Sequence, residues 1–447
     1  MVEIDYLHNL TQPIFYVTND VGQGIGLENL LPNYHIVCLD DHPLVDILQK
    51  NGVSVFCLER SVGKKNVLAR VSGNILSQPA VLTFIKEKAG GRTPQILFFK
   101  PQKKIEVLAQ EHHFNLLGNP VELNRRFEDK VAFFEFCQKV GIRTAPGEIA
   151  ELAGLSFNEM ARLYGEILVL QFGRGWAGSS TFFVRSPEEL ERLKKDYGSL
   201  RVKVGRFVKG RTFLNNAVIW DNQILISRPA LQVKSHPLLT AATGGTGGRQ
   251  WPVAGITKQE SKIEAITRKV GRLMAKEGYR GFFGLDFLID EENGEIFVSE
   301  NNARLTASVP FYTKLELGVG VLPLLAYHLL AFLPFKAEID EWEPPSVVGS
   351  EVVLRNTTSL PQKVRQSLPS GLYRLPLEFI KESYFLSTKN REELWLTVAA
   401  EGRQVNPEIE LARFDTLEKV SDEKGALRKE YVQLAEKIRN EVKLEKC

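Results

Sequence analysis

The 447-residue chain has only four cysteines, Cys38, Cys57, Cys137 and Cys447, with no CxxC pair and no Cys/His spacing of the kind that binds metal. The first three lie in apolar segments and read as buried thiols, so a reducing cytoplasm is the expected compartment. Net charge is also small. A formal +3 is too little to expect nucleic acid as the main partner. No apolar run approaches the roughly 20 residues of a membrane span, so no membrane partner is expected. The opening, MVEIDYLHNLTQPIF, lacks the charged and apolar regions of a signal peptide. No GxxxxGK[ST] run is present, which argues against a P-loop enzyme.

What is present is the composition of a globular protein, 43% hydrophobic and 25% charged, at a length that implies about three domains. Residues 1–117 carry the short apolar runs Ile14-Phe15-Tyr16-Val17, Ile36-Val37-Cys38-Leu39, Val53-Ser54-Val55-Phe56 and Ile96-Leu97-Phe98-Phe99, separated by helical or loop stretches. Buried parallel strands read this way, and a small doubly wound α/β domain is expected. Asp40-Asp41 and Lys100-Pro101 follow strands, at the edge where such domains bind ligands. Gly22-x-Gly24-x-Gly26 follows the first strand but lacks the GxGxxG spacing, so it is a weak dinucleotide signal.

The densest chemistry is in residues 281–310, GFFGLDFLIDEENGEIFVSENNARLTASVP. Two apolar runs flank Glu292-Asn293-Gly294, the pattern of a β-hairpin. A three-residue loop closing on a left-handed Gly294 puts Glu291 opposite Glu295 and Asp286 opposite Glu300. A two-residue Asn-Gly turn would separate Asp286 and Glu300 onto opposite faces. Because side chains alternate along a strand, Glu300, Asn302 and Arg304 share a face. Two neighbouring carboxylates repel unless a cation lies between them. Asp286, Glu300 and Asn302 are therefore the candidate metal ligands, for a hard ion such as Mg²⁺ (Mn²⁺ is the alternative). Arg304 and Asn302 are the candidate catalytic groups, Arg304 as a holder of phosphate oxygen or transition-state charge. Taken singly, each is also an ordinary surface residue; the set carries the reading.

Asp286 followed by Glu300-x-Asn302-x-Arg304 resembles the metal-binding end of the ATP-grasp ligases, of the biotin carboxylase and carbamoyl-phosphate synthase type. Upstream, Arg125-Arg126-Phe127-Glu128-Asp129-Lys130 opens a helix expected to run on through Phe133, Phe134 and Cys137; its Asp129-Lys130 pair, followed by Gly141-Ile142-Arg143-Thr144-Ala145-Pro146, is similar to the entry of that domain. The resemblance implies that Lys130 reaches a nucleotide phosphate; by itself it is also an ordinary solvated helix lysine. Between Ile167–Phe172 and Phe182-Phe183-Val184 runs Gly173-Arg174-Gly175-Trp176-Ala177-Gly178-Ser179-Ser180-Thr181. Its glycines match GxGxxG, but a strand follows rather than a helix, so a flap over a triphosphate fits better than a dinucleotide fold. Glycines Gly173, Gly175 and Gly178 let backbone N–H groups approach phosphate, and Arg174, Ser179 and Ser180 add donors. A protein-kinase loop has similar spacing, but no HRD or DFG element follows.

The chain departs from the family at two positions. Gln171 stands where a second lysine is usual, and an amide hydrogen-bonds phosphate without supplying charge. Arg206 stands where an acidic residue is common; Phe207 and Val208 would sandwich the adenine. Arg228, Gln232, Lys234 and His236 alternate and line either a phosphate channel, with Lys234 as nucleotide contact, or an exposed strand face. Thr243–Trp251 is a second glycine-rich loop, read as a mobile cover or a simple connector. Residues 317–333 read as a broken, buried helix.

The expected fold is α/β and α+β multidomain: an α/β domain over residues 1–117, an ATP-grasp domain over 118–337, and a small β-rich domain with a C-terminal helix over 338–447. That helix is expected over residues 422–446, and strands at Val347-Val348, Val352-Val353-Leu354, Tyr384-Phe385-Leu386 and Leu394–Val398. The resemblance implies ATP- and Mg²⁺-dependent activation of a carboxylate as an acyl phosphate, with ADP released and an amine attacking. Expected partners are small-molecule carboxylate and amine substrates and, as is common among relatives, a second copy in a homodimer. Two other readings stand beside it: a nucleotide-binding regulator or scaffold without turnover, and a bicarbonate-using carboxylase, disfavoured because Leu-Thr-Ala-Ser-Val after Arg304 does not resemble the stretch that handles bicarbonate and biotin.

Overall fold

Runs of four or five Ile, Val and Phe residues bury both faces when laid side by side as strands. In the computed structural model they do so in β1 (Ile14–Thr18), β2 (Tyr34–Cys38), β3 (Ser54–Cys57), β4 (Gln95–Phe98) and β5 (Asn115–Leu116), a parallel sheet ordered β3-β2-β1-β4-β5. The structure describes residues 2–176, 179–221, 223–253, 257–337, 339, 341–387 and 390–447, without the side chains of 2, 174–176, 179, 180 and 257. Alternate residues feed separate cores. Ile14, Tyr16, Ile36 and Cys38 pack on one face, and Phe15, Val17, Val37 and Leu39 on the other. The order reverses at β1, whose C-terminal end therefore opens a crevice. Gly22-x-Gly24-x-Gly26 is used for packing: a Cβ at Gly24 would meet Ile36 at 2.8 Å, and one at Gly26 would meet Thr313 at 2.8 Å.

A four-stranded antiparallel sheet follows, β6 (Gly147–Glu151), β7 (Leu168–Trp176), β8 (Ser179–Val184) and β9 (Arg201–Arg206), ordered β6-β9-β7-β8. Most of the remaining strands build a larger sheet: β10 (Gly210–Trp220), β11 (Gln223–Ile226), β12 (Ala230–Val233), β13 (Gly248–Trp251), β14 (Gly281–Asp290), β15 (Ile296–Asn302), β16 (Gly349–Arg355), then after β17 (Gln362–Gln366) come β18 (Gly371–Arg374), β19 (Glu378–Glu382) and β20 (Glu393–Val398), and after β21 (Gln404–Val405) comes β22 (Glu410–Thr416); β17 and β21 pair with each other outside it. Its order is β15-β14-β10-β12-β13-β16-β22-β20-β18-β19, with β11 on β10. One ladder thus runs from the carboxylate hairpin into the C-terminal segment.

Three expectations are corrected. The C-terminal helix spans only Lys429–Glu441; its Leu434, Ala435 and Ile438 fill a core with Leu396 and Phe414, and Lys443–Lys446 (β23) turns into an edge strand on β17. Tyr384-Phe385-Leu386 and Val347-Val348 are not strands: Tyr384, Leu386 and Val347 are buried as loop side chains, which a β-like composition does not distinguish from a ladder. Residues 317–333 are divided between two helices, Val309–Gly318 and Leu324–Leu330, the second starting after Pro323 and fully buried. No helix among the described residues is long and apolar enough to cross a membrane.

Candidate active site

The hairpin of β14 and β15 places the carboxylates. Its turn is longer than expected: Asp290 N–H donates to the Glu295 carbonyl at 2.9 Å, so Asp290, not Glu291, faces Glu295, and four residues make the loop. Gly294 is left-handed at φ 71°, as a tight return requires. That shift alone would put Asp286 opposite Ser299. A bulge corrects it: Phe287 pairs with Val298 and Asp286 with Glu300, leaving Ser299 unpaired. Asp286 and Glu300 are therefore cross-strand neighbours, by two departures from the simple reading that cancel.

Directly opposed like charges destabilise a ladder, and here each meets its own cation. Lys130 contacts Glu300 Oε2, and Arg249 Nη2 stands 3.3 Å from Asp286 Oδ1. Asn302 Nδ2 donates to Asp286 Oδ2 at 3.0 Å, and its Oδ1 accepts from Arg304 Nη2 at 3.0 Å. Arg304 Nε donates to Glu128 at 3.0 Å, Lys100 donates to the same oxygen at 2.8 Å, and the guanidinium lies 4.9 Å over the Phe99 ring. Burial would raise the Glu128 carboxyl, but Arg304 and Lys100 outweigh it and hold it below the usual range.

Lys130 reaches the site because the predicted single helix is two. Val121–Glu128 ends, Asp129 takes an extended conformation, and its carboxylate caps a new helix, Lys130–Lys139, by accepting from Val131 and Ala132 N–H at 3.0 Å. Lys130 becomes the first residue of that helix. Burial pushes its ammonium down to about 8, against the pull of Asp286 and Glu128. The Asp129 carboxylate also abuts Gly173, where a Cβ would collide with it.

On β7 and β9, Gln171 pairs with Lys203, and Lys203 Nζ donates to Gln171 Oε1 at 3.1 Å. Arg206 is paired with Asp290 at 2.8 Å, so an acid does stand at this corner, supplied by the hairpin. Val208 is buried; Phe207 is 39% exposed and packs edge-on to Phe183, 5.7 Å between centroids. β7 and β8 form the expected strand–loop–strand, with Gln171 opposite Thr181 and Trp176 opposite Ser179; Gly173 and Gly175 lie within β7. Gly178 lies outside the described residues, as do the side chains of Arg174, Ser179 and Ser180.

Lys234 is not drawn to the carboxylates. It is exposed, its N–H donates to the Gly425 carbonyl at 2.8 Å, and its charge acts on Glu291 at the hairpin tip. Arg249 is the basic group that comes to Asp286. The second glycine-rich segment is less free than expected: Gly248–Trp251 is strand β13, Arg355 Nη1 donates to the Thr246 carbonyl at 2.6 Å, and Gly244 packs against the Phe183 ring.

Sequence reasoning missed Glu128, Arg249, Lys203 and Asp290. Lys203 alone had a signal, one lysine inside the buried alternation Val202-Lys203-Val204. Beyond Phe99 and Lys100 a cavity of about 410 Å³ opens at the ends of β1, β2 and β4, lined also by Asp20, Asp40, Arg70 and Arg403.

No family model matches the chain. Among curated proteins, the carbamoyl phosphate synthase large chain of Thermus thermophilus is 28% identical over 276 residues, 59% of this chain and 25% of that protein. The arginine-specific large chain of Bacillus subtilis is 24% identical over 219 residues, 48% and 20%. The chain thus spans about a quarter of the length of the curated relatives it matches. Among solved structures, biotin carboxylase of Campylobacter jejuni superposes with a TM-score of 0.64 at 14% identity, covering 97% of this chain and 92% of that one. Phosphoribosylamine–glycine ligase of Thermotoga maritima gives 0.58 at 17%, covering 97% and 98%.

Proposed function

Because the chain has the ATP-grasp fold, we propose that it is an ATP-dependent ligase that activates a carboxylate as an acyl phosphate, releases ADP and passes the acyl group to an amine. The observation that carries this reading is the meeting, on one hairpin face, of Asp286, Glu300 and Asn302 with Lys130 and Arg304. The donor set suits a hard cation: two opposed carboxylates, each beside one cationic side chain, and an amide oxygen with a lone pair beyond the one Arg304 uses. Asp286, Glu300 and Asn302 would hold Mg²⁺, or Mn²⁺, which takes the same oxygen ligands. Bound Mg·ATP supplies the phosphoryl group and divalent charge.

The chain's own residues do the rest by position and charge. Lys130 is set at a helix N-terminus, where both its ammonium and the backbone N–H groups favour anions. Arg304, clamped by Asn302, Glu128 and the Phe99 face, presents a fixed guanidinium between the hairpin and the cavity and neutralises charge on the transferring group. The cavity, with carboxylates and guanidinium groups together on its wall, suits the carboxylate and amine substrates. The β7–β8 flap excludes water from the acyl phosphate. The buried thiols Cys38, Cys57 and Cys137 fit a reducing cytoplasm.

The test is nucleotide product analysis with Mg·ATP and a panel of carboxylic acids, bicarbonate and amines. Acceptor-dependent ADP is expected; AMP, or bound ATP with no product across the panel, would remove the proposal.

A further inference from the structure

Among the described residues Lys203 is a buried cation without a counter-charge. It is 6% exposed, and among those residues it is in no ion pair and hydrogen-bonds to the neutral Gln171 carbonyl oxygen at 3.1 Å. Its ammonium lies 5.0 Å over the Phe134 ring, and the neighbours that act on it electrostatically are Lys130 and the Cys137 thiol, neither of them a carboxylate. Burial and the like charge of Lys130 push it down to about 8. Taking an ammonium out of water costs several kcal/mol unless an anion compensates it. A Leu or Met on this strand would bury at no such cost, and Val202 and Val204 on either side show that β9 is otherwise apolar here.

The surroundings define the missing anion. Gln171 and Lys203 are cross-strand partners, so both side chains leave the sheet on the face covered by the helix Lys130–Lys139. Lys130 begins that helix, and the glycine segment of β7 begins two residues after Gln171. Lys130 is held by Glu300, and Asp129 caps the helix N-terminus, which leaves Lys203 as the cation of this corner with no carboxylate partner among the described residues. A phosphate group would supply the counter-charge that Lys203 lacks.

We propose that Lys203 is a phosphate-binding residue of the nucleotide site, aimed by Gln171 as positioning residue, so that the cation absent from position 171 is delivered from the adjacent strand. The inference rests on the nucleotide reading above and adds the residue that grips the polyphosphate with Lys130. Gln171, which alone reads as a loss of charge, becomes the group that fixes the charge.

The test compares binding of Mg·ADP and of adenosine by calorimetry, using the full chain as wild type, Lys203→Met, Lys203→Gln, and the exchange Gln171→Lys with Lys203→Gln. Loss of one charge-assisted contact predicts about 10- to 100-fold weaker Mg·ADP binding in both single variants, with adenosine affinity unchanged. The exchange is expected to recover most of that loss. Because Lys203→Met removes an unpaired buried charge, its melting temperature should not fall. Wild-type Mg·ADP affinity in the single variants would overturn the inference while leaving the nucleotide site standing. Equal losses for Mg·ADP and adenosine would also overturn it, by reducing Lys203 to a structural role. Failure of the wild-type protein to bind Mg·ADP would remove the nucleotide reading and this inference together.

Discussion

Arg304 illustrates how much one side chain here depends on its holders. Asn302, Glu128 and Phe99 fix its guanidinium from three directions, and Lys100 keeps Glu128 charged. Removing a preorganised cation that meets developing charge typically costs about 10²–10³ in turnover. Arg304→Ala and Glu300→Gln are therefore expected to lower kcat by at least about 100-fold while melting within a few degrees of wild type. Wild-type turnover in either variant would contradict the site. The residue types were legible in the sequence because Asp286, Glu300, Asn302 and Arg304 lie on one hairpin, where alternation gives Glu300, Asn302 and Arg304 a shared face and the turn decides whether Asp286 joins them. Glu128 and Arg249 were not, because each arrives from another element and nothing in its own neighbourhood in the chain marks it; Lys203 was marked only by its place between Val202 and Val204.

At the scale of elements, the hairpin was read correctly as a hairpin, yet its register came out right through two unpredicted features, the four-residue loop and the bulge at Ser299. Turn length and bulges are set by contacts across the sheet, which period-two patterning does not contain. The break at Asp129 was hidden for a similar reason: a helix-compatible sequence runs straight through it, and only the cap shows where one helix stops. The ion pair of Arg206 with Asp290 joins the β6–β9 sheet to the hairpin. Asp290 is 5% exposed and Arg206 36%, so breaking the pair leaves a buried carboxylate with partial access to water. Arg206→Met is expected to cost about 2 kcal/mol, below the fully buried range, and to raise amide exchange in β6–β9 while β1–β5 stay protected. Unchanged exchange in β6–β9 would show that the pair does not anchor that sheet.

For the whole molecule, part of the seam between the first sheet and the C-terminal segment is built from charged groups. Arg403 pairs with the buried Glu59 and stands 3.2 Å from Asp40 Oδ1, while Arg70 contacts the other oxygen of Asp40, Oδ2. Burial, opposed by Arg70 and Arg403 and reinforced by Asp20 and Glu59, raises the Asp40 carboxyl to about 6 from an ordinary 3.8. A group harder to ionise in the folded state withdraws stability as pH rises, here between about 4 and 6 and by roughly 3 kcal/mol at most. Glu351 and Asp415, also raised by burial, act in the same direction in any variant, so the difference between proteins isolates Asp40. Urea unfolding at pH 4.5 and pH 7.5 should show that Asp40→Asn gains on wild type as pH rises; parallel curves would contradict the assignment. The central claim, however, is chemical. Once an accepted carboxylate is found, supplying it with ¹⁸O in the carboxyl group and following the phosphate by ³¹P NMR tests acyl-phosphate formation most directly. The account predicts one ¹⁸O per inorganic phosphate released alongside ADP; label in AMP, or none in phosphate, would contradict it.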